Sequence, residues 1–267
     1  MTVHFEIDAG VALITIDRPE ALNALDVEAL RDLRAHLVEV RDRPDVRVGV
    51  LTGSGSRAFC AGADLKGTRT SPASYAEALF RAPDAAANLG LYIRLMDLTD
   101  LQCHKPLIAA INGHCLGAGL EIALQCDMRV ASTEASFGLP EVRVGSIPAV
   151  SGLHRLLKAV PSALAMQMVL TGERIDAAEA ARIGLVSEAV APSALRDRAL
   201  GLAHKIGSNA PLAVQAVKKL SRQTAHLSEP DAQAMTELYW GVLRDTADRF
   251  EGRAAFGEKR PPRFTGQ

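Results

Sequence analysis

The sequence predicts an α/β fold built from strand–strand–helix groups, followed by a helical C-terminal module. Three observations carry this. Short apolar runs bounded by turn residues, too short to be helices, recur through the first part of the chain. Two of these runs feed loops made of Gly and Ala, at Phe59 to Asp64 (FCAGAD) and Leu116 to Gly119 (LGAG). From Pro192 the pattern becomes almost wholly helical, which divides the chain into a core over 1–190 and a module over 191–267.

The elements follow in order. Val3 to Ile7 and Val11 to Asp17 flank Asp8-Ala9-Gly10, a hairpin signal with apolar alternation on both sides. Asp26 caps a helix running to about Arg41, with Leu30, Leu33, Leu37 and Val40 on one face. Val46 to Leu51 reads as a buried strand. Gly67 to Leu101 reads as a mobile loop and then a helix bearing Leu89, Ile93 and Met96. Leu107 to Ile111 is a further strand, Asn112-Gly113 a turn, and Leu120 to Cys126 a buried helix. Met128 to Ala131 forms a short strand, and LPEVRVGSIPAVSG after Phe137 a loop. A helix starts near Pro161 and ends before Gly172. Asp176 with Glu179 opens another in a capping-box pattern, and Leu185-Val186 follows as extended chain. The module holds helices at about Ser193 to Ser208, Pro211 to Thr224 and Asp231 to Phe250.

Composition narrows the function classes. The chain has 267 residues, 48% hydrophobic and 23% charged, with a net charge of −1. That balance argues against a general nucleic-acid or membrane-surface binder, which carries a basic excess. Cys60, Cys103, Cys115 and Cys126 lack CxxC or Cys/His ligand spacing, so neither disulfides nor a structural metal is expected. No signal-peptide pattern and no membrane-length apolar run is visible, and a soluble cytoplasmic protein is expected.

The two Gly/Ala loops share a chemistry. Small side chains let a ligand approach the backbone, so main-chain N–H groups become binding elements. The second loop also opens a helix, where unpaired N–H groups and the helix dipole favour negative charge. Together they suggest a two-donor oxyanion hole. Neither loop matches a Walker A or G-x-G-x-x-G pattern. Glu121 and Glu141 are the acid–base candidates; taken singly, each reads better as an ordinary helix-start or loop carboxylate.

Several segments in order resemble the crotonase (enoyl-CoA hydratase/isomerase) superfamily. They are RPEALNALD at Arg18 to Asp26, AFCAGADLK at Ala58 to Lys66 and KPLIAAINGHCLGAGLEIALQCDMRVAS at Lys105 to Ser132. FGLPEVRVGSIPAVSG at Phe137 to Gly152, TGERIDAAEAARIGLVSEAV at Thr171 to Val190 and AFGEKR at Ala255 to Arg260 continue the match. The resemblance implies a spiral core of repeated ββα units and a C-terminal helical trimerisation module, assembled as a homotrimer or a hexamer of paired trimers. It implies that the Ala63 and Ala118 N–H groups hold a thioester carbonyl. Glu121 would orient and activate a water for attack at C3 of a 2-enoyl-CoA, and Glu141 would supply the proton at C2. Coenzyme A, part of the substrate rather than a separate cofactor, would run along Ala61, Gly62, Ala63, Asp64, Leu65 and Lys66. Ala21 and Leu22 would stand near the pantetheine entrance and Gly117 beside the hole. Phe256 and Lys259 would reach coenzyme A in a neighbouring subunit. No metal is implied.

The sequence also departs from the family pattern. Ala118 replaces a commoner glycine, which leaves the N–H in place. Ala149 and His154 stand where glycine-rich sequence is usual, so the pocket floor is expected to differ. His114 reads as a packed histidine, and Tyr75, Phe80 and Tyr92 read as ordinary apolar residues with the acyl pocket as the alternative. The expected activity is hydration of an enoyl-CoA. A double-bond isomerase, a specialised acyl-CoA hydratase or dehydratase, and a non-catalytic acyl-CoA- or RNA-binding protein are the alternatives.

Overall fold

The computed structural model describes residues 2–64 and 75–267. Leu65, Lys66 and the opening of the Gly67 to Leu101 segment lie outside the described residues, as does the Tyr75 side chain. Strands β1 (Val3–Asp8) and β2 (Val11–Ile16) pair antiparallel, with Asp8 opposite Val11. Ala9 and Gly10 between them both have positive φ, 45° and 81°, the pairing that suits a tight hairpin to the strand twist.

After β2, helix α1 (Val27–Asp42) crosses over to β3 (Val48–Gly53), which lies parallel to β2. The Asp26 carboxylate accepts from the Ala29 N–H at 2.8 Å and caps α1 as the sequence predicts. From β3 onward the strands come in pairs. β3, β5 (Leu107–Ile111), β7 (Met128–Ser132) and β10 (Glu188–Val190) extend a six-stranded sheet in the order β1-β2-β3-β5-β7-β10. β4 (Ala58–Cys60), β6 (His114–Leu116), β8 (Ser136–Gly138) and β9 (Ile175–Asp176) build a second, four-stranded sheet. Each successive unit therefore gives one strand to each sheet, and helix α4 (Ala118–Ala123) follows the β5–β6 pair.

The apolar runs are buried on both faces. Val11, Val48, Val50, Ile108, Ala110 and Val130 pack against Leu195, Ala199 and Ala203 of α8 (Leu195–Gly207). The alternate residues Ala12, Ile14, Ile16, Ala109 and Ile111 join the main core with Leu30, Leu33 and Leu37 of α1. This two-sided burial explains why β3 and β5 read as continuous apolar stretches rather than alternating ones. Phe59 and Phe137 are fully buried beside that core, each worth about 1.5–3 kcal/mol by burial alone.

Asn23 ties the first units together. Fully buried, it accepts from the Arg18 N–H at 2.9 Å and donates to Ser54 O at 3.0 Å and Ala58 O at 2.7 Å. Replacing it with Ala strands the Arg18 N–H and Ser54 O, while Ala58 O keeps the Asn112 amide at 3.1 Å, so Asn23→Ala should lower stability by about 2–3 kcal/mol. Urea unfolding of the variant against the parent protein measures this, and an unchanged midpoint would contradict the role given to Asn23.

The remaining helices are α2 (Tyr75–Leu79), α3 (Pro83–Asn88), α5 (Gly152–Ala159), α6 (Ser162–Thr171), α7 (Ala177–Arg182), α9 (Pro211–Thr224), α10 (Glu229–Arg244) and α11 (Ala247–Glu258). The structure departs from the sequence reading at several points. The described part of the Gly67 to Leu101 segment is no single helix: α2, α3 and 3-10 turns at Tyr92–Leu95 and Thr99–Leu101 share it. The expected Asp231 to Phe250 helix is two, because the Thr246 hydroxyl accepts from the Arg249 N–H at 3.2 Å and restarts the chain as α11. Helix α5 begins at Gly152, where the expected loop ends, in a stretch the sequence reading left unassigned, and β6 follows the Asn112-Gly113 turn directly. Strand pairing begins after Leu185-Val186, at Glu188 opposite Val130. The Asp176 cap of α7 and the α6 bounds agree with the sequence reading.

Candidate active site

The β4 exit loop is stitched onto the segment before α1. The Ala61 N–H donates to Leu22 O at 3.0 Å, the Leu25 N–H to Gly62 O at 2.8 Å, and the Asp64 N–H to Leu25 O at 2.9 Å. The Gly62 N–H turns back to Cys60 Sγ at 3.4 Å. Of the four N–H groups from Ala61 to Asp64, only that of Ala63 lacks an acceptor among the described residues. The Arg18 guanidinium, 3.0 Å from Asp26 and 3.1 Å from Asp64, clamps this loop to the start of α1.

The β6 exit loop has the same economy. The Gly117 N–H is taken by Gly138 O at 2.9 Å and the Glu121 N–H by Gly117 O at 3.0 Å. The Ala118 N–H, in the first turn of α4, has no acceptor among the described residues. Gly117 has φ 51° and ψ −129°, a conformation closed to side-chain-bearing residues. Gly119 packs so tightly that a Cβ there would lie 2.2 Å from Cys60 O, which fixes the two exit loops against each other. The helix begins at Ala118, one residue inside the expected loop.

Ala63 and Ala118 both line a cleft of about 280 Å³, together with Glu121 and Glu141. The carboxylates sit in unequal surroundings. Glu121 is 3% exposed, and its Oε1 accepts from the Val150 N–H at 2.8 Å and the Gly152 N–H at 2.9 Å. Burial raises its pKa above the ordinary carboxyl value, while those two donors pull the other way. Glu141 lies in the turn after β8, and its buried Oε2 has no hydrogen-bond partner among the described residues. Burial and then the neighbouring Glu121 charge push its pKa up to about 7, against a lowering backbone hydrogen bond. The two carboxyls are thus both raised above the ordinary carboxyl value, but only Glu121 has backbone donors that oppose the shift by favouring its ionised form.

The apolar wall comes from Tyr92, Ile93, Met96, Val144 and Ile147. Tyr92 therefore lines the cleft as well as packing on the main core, while Phe80 is 87% exposed and outside the cleft lining. Ala149 lines the floor and His154 does not. His114 is half-buried with its ring bonded to Ser136 Oγ at 2.8 Å, as a packing residue. All four cysteines are buried and free. Sequence reasoning missed Arg143 and the Val150 and Gly152 donors, because a backbone N–H carries no side-chain signature. Ala21 and Leu22 border the stitched loop, with Leu22 in a left-handed conformation, φ 54°. Phe256 is 88% exposed, and with Lys259 at the end of α11 it stands outside the cleft of its own chain. Among the described residues no cluster of His, Cys, Asp and Glu suits a metal ion, and no helix is long and apolar enough to cross a membrane.

Two interleaved sheets, a carboxylate pair and two unspent backbone donors define a crotonase-type site. A family model for enoyl-CoA hydratase/isomerase matches residues 6–267. The chain is 47% identical to the (E)-benzylidenesuccinyl-CoA hydratase of Thauera aromatica, over 100% of both chains. It is 39% identical to the carnitinyl-CoA dehydratase of Proteus mirabilis, over 100% of this chain and 99% of that one. The crystal structure of an enoyl-CoA hydratase from Bacillus anthracis superposes with a TM-score of 0.89 at 32% identity, covering 100% of both chains. The chain belongs to the enoyl-CoA hydratase/isomerase family, within the crotonase superfamily, and is an enzyme of its hydratase type.

Proposed function

We propose that the protein adds water across the 2,3 double bond of an enoyl-CoA thioester, and removes it in reverse. The observation that carries this reading is the asymmetric glutamate pair beside two backbone donors that have no acceptor among the described residues. The thioester carbonyl accepts from the Ala63 and Ala118 N–H groups, and charge developing there as an enolate meets fixed dipoles, each worth about 3 kcal/mol. Glu121, oriented by the Val150 and Gly152 N–H groups, takes a proton from the water attacking C3, and Glu141 delivers its proton to C2. The chemistry draws on no metal or redox cofactor, since coenzyme A travels with the substrate. Its course along Ala61, Gly62 and Asp64, past Ala21 and Leu22, belongs to the same proposal.

The relatives named for a benzylidenesuccinyl and a carnitinyl thioester support an acyl group other than a simple straight chain. A wall containing Tyr92, Ile93, Met96, Val144 and Ile147 fits such a group. Exposed Leu238, Trp240, Val242, Phe250 and Phe256 on α10 and α11 support burial against further subunits, as a homotrimer or a hexamer of paired trimers. Phe256 and Lys259 would then serve the neighbour's coenzyme A.

The pH profile tests the acid–base assignment. Glu141 must be protonated for hydration and has a pKa of about 7, so kcat/KM should fall about tenfold per pH unit above that value. It should fall again toward acid as Glu121 takes up a proton. Steady-state assays with an enoyl-CoA from pH 5 to 9 read both limbs, and a flat alkaline limb would overturn the role of Glu141.

A further inference from the structure

We infer that Arg143 recognises a second, free carboxylate on the acyl part of the substrate, so that the preferred thioester is the CoA monoester of an unsaturated dicarboxylic acid. The inference rests on the hydratase reading above. Arg143 is the sole cation among the described residues lining the cleft, whose other charged groups are Glu121 and Glu141. Its Nε donates to Thr171 O at 3.0 Å, at the end of α6. Gly172, the next residue, makes room: a Cβ there would lie 2.9 Å from Nε and 3.0 Å from Cγ of Arg143. The side chain is thus seated by its Nε edge, and its two Nη groups have no acceptor and no carboxylate partner among the described residues.

A guanidinium held at one edge offers its remaining fork at a reduced entropic cost, and a planar carboxylate is the group that fork matches. The neighbours Val144 and Ile147, 68% and 69% exposed, continue the apolar wall beside it. An acyl group with an apolar body and a carboxylate therefore meets both surfaces. Coenzyme A phosphates are the other anions at hand. The path proposed for them follows the Ala61 to Asp64 loop, whereas Arg143 belongs to the wall built by the turn after β8 and the end of α6.

The test uses two 2-enoyl-CoA esters of equal chain length, one ending in a methyl group and one in a carboxylate, with the parent protein and Arg143→Gln. The parent should favour the diacid ester, and the substitution should lower the diacid-to-monoacid ratio of kcat/KM by roughly 10- to 100-fold. An equal loss for both esters would assign Arg143 to coenzyme A or to capping α6, and no parental preference would assign it to solvent; either result overturns the inference. Calorimetric binding of the two saturated esters needs no turnover. Preferential diacid binding that Arg143→Gln abolishes, without any hydration, would uphold Arg143 and sink the hydratase reading instead. Hydration of both esters with equal binding would do the reverse.

Discussion

Glu141→Gln lowers kcat for hydration by roughly 10²- to 10⁴-fold, the usual scale for losing a positioned general acid. The same change stabilises the folded protein above neutral pH. The folded pKa of Glu141, about 7, lies above the ordinary carboxyl value of 4.5, so the folded state favours the protonated form. Below pH 4.5 both states are protonated and burial of the group costs little. Between 4.5 and 7 the unfolded chain ionises while the folded one does not, and stability falls as pH rises. Above 7 the penalty is complete, because a carboxylate then sits beside Glu121 with a bare Oε2. The amide removes that charge, so at pH 8 the variant should gain on the order of 1–2 kcal/mol and lose the dependence between 4.5 and 7. Urea unfolding at pH 4.5 and pH 8, beside turnover at each pH, reads both effects. A variant that turns over normally, or that is destabilised only at pH 8, would contradict the assignment.

The second large effect comes from a single methyl group. A Cβ at Gly119 would lie 2.2 Å from Cys60 O and 2.9 Å from Cys60 Cβ, so Gly119→Ala must force the two exit loops apart. Neither contact involves the movable end of a long side chain. Both proposed donors, Ala63 and Ala118, stand on the segments that separate. Displacement of about 1 Å in a preorganised site costs on the order of 10²-fold in rate, and we expect kcat to fall at least that far. Buried strain adds about 1–3 kcal/mol of destabilisation. Thermal unfolding and steady-state kinetics separate the two, since a purely structural effect would restore the parental rate at low temperature, where the variant is fully folded. Unchanged kinetics would show that the loops tolerate the gap and that their contact does not set the donor geometry.

Legibility in the sequence followed the physics of each signal. Strands β3 and β5 could be read because they are buried on both faces and therefore largely apolar. The Asp26 and Asp176 caps could be read because a carboxylate three residues before a backbone donor is a local pattern. Helix α5 was hidden among the Gly and Pro of its surroundings, and the α10–α11 break rests on one threonine hydroxyl at Thr246. The site divided in the same way. Glu121, Glu141, Ala63 and Ala118 stood out through the two Gly/Ala loops and the family motifs. What makes the two glutamates unequal was not legible: Val150 and Gly152 act through main-chain N–H groups, and the missing partner of Glu141 Oε2 arises only from packing. Arg143 looked like any loop arginine until Thr171 O and the space above Gly172 gave it a fixed seat.

The most direct test is the fate of the solvent atoms in the product. An enoyl-CoA incubated with the protein in water enriched in oxygen-18 and deuterium should yield a 3-hydroxyacyl-CoA carrying the heavy oxygen at C3 and one deuterium at C2. That pattern requires attack by water at C3 and proton delivery at C2, the two steps given to Glu121 and Glu141. A product with a displaced double bond and no heavy oxygen, or an ester recovered without either isotope across a panel of acyl groups, would contradict the account.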